Sequence, residues 1–309
     1  MFYEAAPDSC ALGEELVAWS LERFGKEGLA ADGFALTWVA FDHPLMPETA
    51  PQQPRGFGYH GDQAFYPCSI VKVFYLAAAE ARLEEGFVRP HHELDRAMRD
   101  MILWSSNTAT NYIIDLVTGT TGDTLLDEAG MRDWVQRRQW INRYLHSRGW
   151  PEMKAVNVCQ KLMDDDRYGR EKIFVQLDGN NHNSLTTNAV VRLFYEIFGG
   201  NAVSPARSRH MADLLHRPLD PDFVGRPAAQ VQGYFGAGLP PGAKLWSKAG
   251  WTGWTGDEAA SYRRHDAAYV ELPNGRAFIL AAFTQGKEIS ASQTVLPAIA
   301  AKASALLSA

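Results

Sequence analysis

The chain has 309 residues, 46% hydrophobic and 21% charged, with 30 basic against 36 acidic side chains and a net charge of −6. This balance excludes collagen-like, low-complexity and disulfide-miniprotein classes, and the length allows one large domain or two smaller ones, since single cores stop growing near roughly 250–300 residues. No basic block stands out, so neither a nucleic acid nor an anionic membrane surface is expected as a partner.

The opening MFYEAAPDSC has no basic start and no apolar run, unlike a signal peptide, and no apolar stretch approaches the ~18 residues that span a bilayer. Cys10, Cys68 and Cys159 are too few and too scattered for a disulfide framework or a CxxC metal site, and their odd number points to a reducing compartment. A cytoplasmic location is the expectation.

Residues 7–27 carry Leu12, Leu16, Trp19, Leu21 and Phe24 at helical steps, with Asp8 or Ser9 as cap. GFALTWVAFD (33–42) reads as a strand, and the proline-rich 43–57 as a loop, with a short second strand around Gly56–His60. Ser69 to Glu85 is helical and stopped by Gly86. Helical character continues over 91–117, 121–147 and 188–198. After about residue 230, Leu245–Gly250, Ala267–Leu272 and Ala277–Thr284 read as strands, the last two joined by a Pro273-Asn274-Gly275 turn. Residues 292–308 form a closing Ala/Leu-rich helix. The expected fold is α+β: one antiparallel sheet from both ends of the chain, flanked by the terminal helices, with a mostly helical insertion. The boundaries are 1–65 and 215–309 for the discontinuous α/β part and 66–214 for the helical part, with the site in the cleft between them.

Three short patterns carry chemistry. Ser69-Ile70-Val71-Lys72 puts a hydroxyl and an amine one turn apart at a helix start, where negative charge is favoured and a buried lysine can take the serine proton. Alone, the same spacing also describes a capped helix with a surface lysine. Ser105-Ser106-Asn107 can relay a proton and hold a substrate amide, or can simply cap the next helix. Lys248-Ala249-Gly250 ends a strand with a positive charge and small residues that let a substrate backbone approach, or is an ordinary strand end.

In this order and context the three resemble the class A β-lactamase and penicillin-binding-protein superfamily of active-site-serine enzymes. Phe65 to Ser69 resembles the approach to the family's nucleophile, and Ser105 to Ala109 its Ser-Asp-Asn-Thr-Ala segment. Lys248-Ala249-Gly250 stands where the family has Lys-Thr/Ser-Gly, and Asp266 to Thr284 resembles its last two strands. Leu162-Met163-Asp164 and Asn183 to Thr187 resemble the loop region of its less characterised serine-hydrolase members.

The resemblance implies an acyl-enzyme on Ser69, with Lys72 as general base and Ser105 as proton donor to the leaving group. It implies that Asn107 binds the acyl-side amide, that Lys248 holds Ser105 and a substrate carboxylate, and that the Ser69 and Trp251 N–H groups form the oxyanion hole. Arg264 is similar in position to a carboxylate-pairing arginine. Gly250 and Ala249 complete the substrate-binding edge.

The sequence also departs from the pattern. Ser106 replaces Asp, and Ala249 lacks the usual hydroxyl. Counting back from Thr186-Thr187 makes Glu171 the candidate for the deacylating glutamate, but its expected Asn partner is Val175; Asp164, Asp165 and Asp166 are rivals. Trp104, Trp246, Trp251 and Trp254 are either an apolar wall or core, and His265 is either a base or a strand residue. No HExxH or Cys/His spacing indicates a metal, and no cofactor is expected. Three readings stay open. The first is a serine hydrolase acting on a small-molecule amide, peptide or ester with a carboxylate. The others are a true β-lactamase and a non-catalytic acyl-accepting sensor. The N-terminus counts against the second, and the lack of an anchor against the third.

Overall fold

The computed structural model describes residues 1–45, 53–162, 167–177 and 181–308. In chain order the elements begin with α1 (Pro7–Phe24), β1 (Phe34–Phe41) and β2 (Arg55–Tyr59). A helical block follows: α2 (Lys72–Glu84), α3 (His92–Leu103), α4 (Asn107–Thr118), α5 (Glu128–Arg138), α6 (Trp140–Ser147), α7 (Gly169–Gln176), α8 (Thr187–Phe198) and α9 (Pro205–Leu215). The chain then returns through β3 (His216–Arg217), α10 (Pro221–Val224), β4 (Lys244–Thr252), β5 (Arg263–Glu271), β6 (Ala277–Gln285), α11 (Lys287–Ala291) and α12 (Val295–Leu306). The strands form one antiparallel sheet in the order β2-β1-β6-β5-β4-β3. Strands from both ends of the chain thus share one sheet, and the helical block α2–α9 is inserted between β2 and β3.

The apolar runs of β1, β5 and β6 follow from burial on both faces. Ala35, Val39, Phe41, Tyr269, Ile279 and Phe283 point into the core shared with the inserted helices. The alternate residues Phe34, Leu36, Trp38, Val270, Phe278 and Leu280 pack with residues of α1 and α12. The β5–β6 turn closes as expected, with Leu272 N–H donating to Arg276 O and Gly275 at φ +84°, where only glycine is unstrained. The cap of α1 differs from expectation. Ala6 is the N-cap, with no side-chain bond, because Pro7 occupies the first helical position that its fixed φ suits. Asp8 then falls in the first turn, where its charge favours the helix dipole. Among the described residues no helix is long and apolar enough to cross a membrane, and no group of three His, Cys, Asp or Glu side chains is arranged to hold a metal.

Candidate active site

Ser69 does not sit in the α-helix itself. Cys68–Val71 form a 3₁₀ turn, and α2 starts at Lys72. In a 3₁₀ turn residues i and i+3 eclipse, so Ser69 and Lys72 still share one side. The turn is tied to the sheet by a close approach. A Cβ on Gly250 would lie 2.8 Å from both the Ser69 nitrogen and Cys68 Cβ. Only glycine in β4 admits that contact, which is why Lys248-Ala249-Gly250 and Ser69 meet. Cys68 is held at φ +49°, in the left-handed region that costs a non-glycine residue about 1–3 kcal/mol. Ser69, Asn107, Trp251 and Thr252 line one cleft of about 510 Å³.

Lys72 is fully buried, and its Nζ donates to Ser105 O (2.5 Å), Ser105 Oγ (3.1 Å) and Asn107 Oδ1 (2.8 Å). The first two motifs therefore converge on one amine. Ser105 has φ +56°, a second strained position beside the cleft. The capping reading of this triplet holds. Ser106, at the position where the resemblance expects Asp, caps α4 by accepting from Ala109 N–H (3.1 Å), while Ser105 and Asn107 turn towards Lys72.

Lys248 is also fully buried, and its Nζ donates to Gln230 Oε1 (2.5 Å) and Ala249 O (2.7 Å). Burial, and then the neighbouring Lys72 charge, push its pKa well below the ordinary lysine value. Its hydrogen bonds go to Gln230 rather than to Ser105 as expected. Behind it Arg217, buried and pushed down to about 10 by desolvation, donates to Ser247 O, Ile102 O and Leu103 O. This guanidinium ties β4 to the end of α3, just before Ser105. Neither Gln230 nor Arg217 belongs to a local motif, and sequence reasoning missed both.

Two expected site residues are elsewhere. Arg264 pairs with Trp251 across β4 and β5, whereas Gly250 pairs with His265. Gly250 faces Ser69, so strand alternation turns Arg264 to the opposite face. There it donates to Gly233 O and Ser290 O and lies 4.5 Å from the Tyr234 ring centroid. It lines a separate pocket with Tyr234, Gln293 and one side of Trp251. Glu171 is buried in a bidentate pair with Arg138 (2.7 and 2.9 Å) and is not part of the cleft lining. Asp164, Asp165 and Asp166 lie outside the described residues.

The tryptophans divide two and two. Trp251 and Trp254, 51% and 60% exposed, line the cleft. Trp246 packs on Phe198 and Tyr269, and Trp104 on Phe223. His265 is a core residue. Its Nδ1 accepts from Thr284 N–H, so Nε2 carries the proton bonded to Tyr66 O (3.0 Å), and burial pushes its pKa down to about 3. Beyond the expected set, Tyr66, Arg167 and Asp257 also line the cleft; Asp257 accepts from Ala259 N–H and His182 Nε2, each at 2.9 Å.

An antiparallel six-strand sheet with an inserted helical subdomain, and a serine turn at their junction, is the class A β-lactamase fold. Residues 92–308 match the sequence profile described as "Beta-lactamase enzyme family", and the chain belongs to that family. The matched stretch holds Ser105, Asn107 and Lys248 and begins after Ser69 and Lys72. Comparison with curated proteins gives no match.

Among solved structures, the class A β-lactamase of the last common ancestor of Gram-negative bacteria aligns with TM-score 0.63 at 18% identity, over 96% of this chain and 100% of that one. PBP-A aligns with TM-score 0.61 at 16% identity, over 95% and 96%. A β-lactamase from Xanthomonas campestris pv. campestris aligns with TM-score 0.61 at 17% identity, over 96% and 98%.

Proposed function

We propose that this serine hydrolase forms an acyl-enzyme on Ser69 from an amide, peptide or ester substrate bearing a carboxylate. The observation that carries the reading is the convergence on Lys72 Nζ of Ser105 Oγ and Asn107 Oδ1, one turn from a serine on the cleft wall. Ser69 Oγ attacks the acyl carbon and its proton passes to Lys72, whose reactive neutral form donates two of the three bonds and keeps its lone pair for the incoming proton. The three acceptors around Nζ match the three N–H groups of the resulting ammonium. Ser105 Oγ, 3.1 Å away, hands a proton to the leaving nitrogen or oxygen as its bond to carbon breaks, and takes one back from the Lys72 ammonium. The Ser69 and Trp251 N–H groups receive the oxyanion. Water then adds to the acyl carbon, the acid departs, and Ser69 regains its proton.

Family membership favours a second reading, β-lactam hydrolysis. Ala249, which lacks a hydroxyl for the substrate carboxylate, and Glu171, which is occupied by Arg138, argue that such turnover is slow and that an adduct persists. Intact-mass spectrometry with an activity-based serine probe and with a penicillin tests these readings. The wild type should gain an adduct that Ser69→Ala lacks, and Lys72→Ala should acylate about 10²–10⁴-fold more slowly, the share of a general base. Unchanged labelling of Ser69→Ala overturns the assignment. Penicillin turnover approaching about 10⁸ M⁻¹s⁻¹ promotes the β-lactamase reading, and a permanent adduct with every substrate promotes an acyl-accepting sensor.

A further inference from the structure

We propose that Arg167 is the group that reads a negative charge on the acyl portion of the substrate. The proposal rests on the Ser69 hydrolase reading and assigns its substrate class: acyl groups that end in a carboxylate. Arg167 lines the same cleft as Ser69 and Asn107, and among the described residues of that lining it is the single cationic side chain. Its bonding state sets it apart. Five described arginines (Arg148, Arg167, Arg170, Arg192 and Arg263) have a buried Nε without a partner. In four of them another guanidinium nitrogen is engaged: Arg148 on Asn201 O, Arg170 on Thr121 O, Arg192 on Glu196 and Arg263 on Ala259 O. Arg167 has neither a hydrogen bond nor an ion pair among the described residues. A buried guanidinium Nε without a partner is costly, and a carboxylate satisfies it together with a terminal N–H in one planar contact.

The surroundings favour an acyl-side anion. Leu162, on the same cleft wall, is fastened to α4 by two bonds with the Asn111 side chain, 2.7 and 2.9 Å. Asn107 opens that helix, and the family resemblance gives it the acyl-side amide. The adjoining groove, which also contains Arg167, adds Lys172 and His182. Asp257, the acid among the described residues that line this region, already accepts from His182 and from Ala259 N–H. Arg264, which the sequence pattern offered for a carboxylate, is committed to backbone carbonyls on the other face of the sheet.

Two p-nitrophenyl esters of matched length, the hemiglutarate and the valerate, differ by the acyl-side charge. The wild type should prefer the hemiglutarate in kcat/KM. Arg167→Gln should cut that preference about 10–100-fold, the size of one charge-assisted contact. Arg167→Lys should keep part of it. A wild-type ratio near one, or a ratio that Arg167→Gln leaves intact, overturns the proposal.

Calorimetric titration with glutarate, on the wild type and on Ser69→Ala, reads the anion site without any acylation. Both proteins should bind it, and Arg167→Gln should bind about tenfold or more weakly. Absent binding, or equal binding by Arg167→Gln, sinks the assignment. Failure of both esters to acylate Ser69 while glutarate binds through Arg167 would instead remove the hydrolase reading and leave the anion site standing.

Discussion

Glu171 is the residue whose sequence-level role and structural setting diverge most, and its removal separates the two. Arg138 is fully buried and Glu171 is 2% exposed. The guanidinium gives both terminal nitrogens to the Glu171 carboxylate, its Nε to Thr120 Oγ1 (3.0 Å), and lies 4.4 Å from the Trp134 ring centroid. Beside them Lys161 bonds Asp115 at 2.6 Å and lies 3.9 Å from Glu171. Two cations therefore face two anions. Glu171→Ala leaves an uncompensated buried cation, and breaking such a pair costs about 3–5 kcal/mol. At roughly 2–4 °C per kcal/mol for a mid-sized domain, and less for a larger one, the melting temperature should fall by about 5–10 °C. Pairing the change with Arg138→Met should recover much of the loss, because apolar replacement of a whole buried pair is often neutral or better. Urea unfolding measures the stability, and intact-mass spectrometry well below the transition measures the lifetime of the Ser69 adduct. The expected result is a large loss of stability with an unchanged adduct lifetime. A Glu171→Gln protein that melts like the wild type but cannot release its acyl group would refute this reasoning and return Glu171 to the chemistry.

Two further outcomes follow from the same geometry. Gly250→Ala would place a Cβ 2.8 Å from the Ser69 nitrogen; it should slow acylation about 100-fold, the usual effect of an ångström-scale misplacement, with a near-native circular dichroism spectrum, and undiminished labelling would contradict the close-approach argument. His265 is neutral in the fold, its pKa pushed from 6.5 down to about 3 by burial, so the unfolded chain takes up its proton first on acidification. Its contribution is complete above pH 6.5 and drains away as pH falls towards 3, on the order of 5 kcal/mol in all. Asp266, pushed up to about 7 by burial, acts in the opposite sense between about pH 4 and 7. His265→Asn keeps a donor and an acceptor but cannot charge. Relative to the wild type it should gain stability as pH falls from 6.5, measured by urea unfolding across a pH series; parallel curves for the two proteins would dismiss the assignment.

Much of the architecture is written in local pattern. The strands of both ends, the helical block between them and the Pro-Asn-Gly turn follow from periodicity and turn chemistry, which act over a few residues. The pairing of Ser69 with Lys72, and of Ser105 with Asn107, is also local, since each pair lies within one turn. Gly250 carries its message in its type: a strand glycine marks close approach, here to the Ser69 nitrogen.

The tertiary structure decided what depends on distant partners. Arg264 and Gly250 sit in strands joined by a ten-residue connection, and which face Arg264 takes depends on the register of β4 against β5, where a shift of one residue reverses every side chain. Glu171 is surrounded by charged neighbours in the sequence, but its partner Arg138 is 33 residues earlier and reaches it only once α5 and α7 are packed. Lys248 finds Gln230 and not Ser105 for the same reason. The availability of Arg167 is the clearest case. Whether a guanidinium is satisfied depends on every acceptor that folding brings near it, and no stretch of sequence around a residue contains that information.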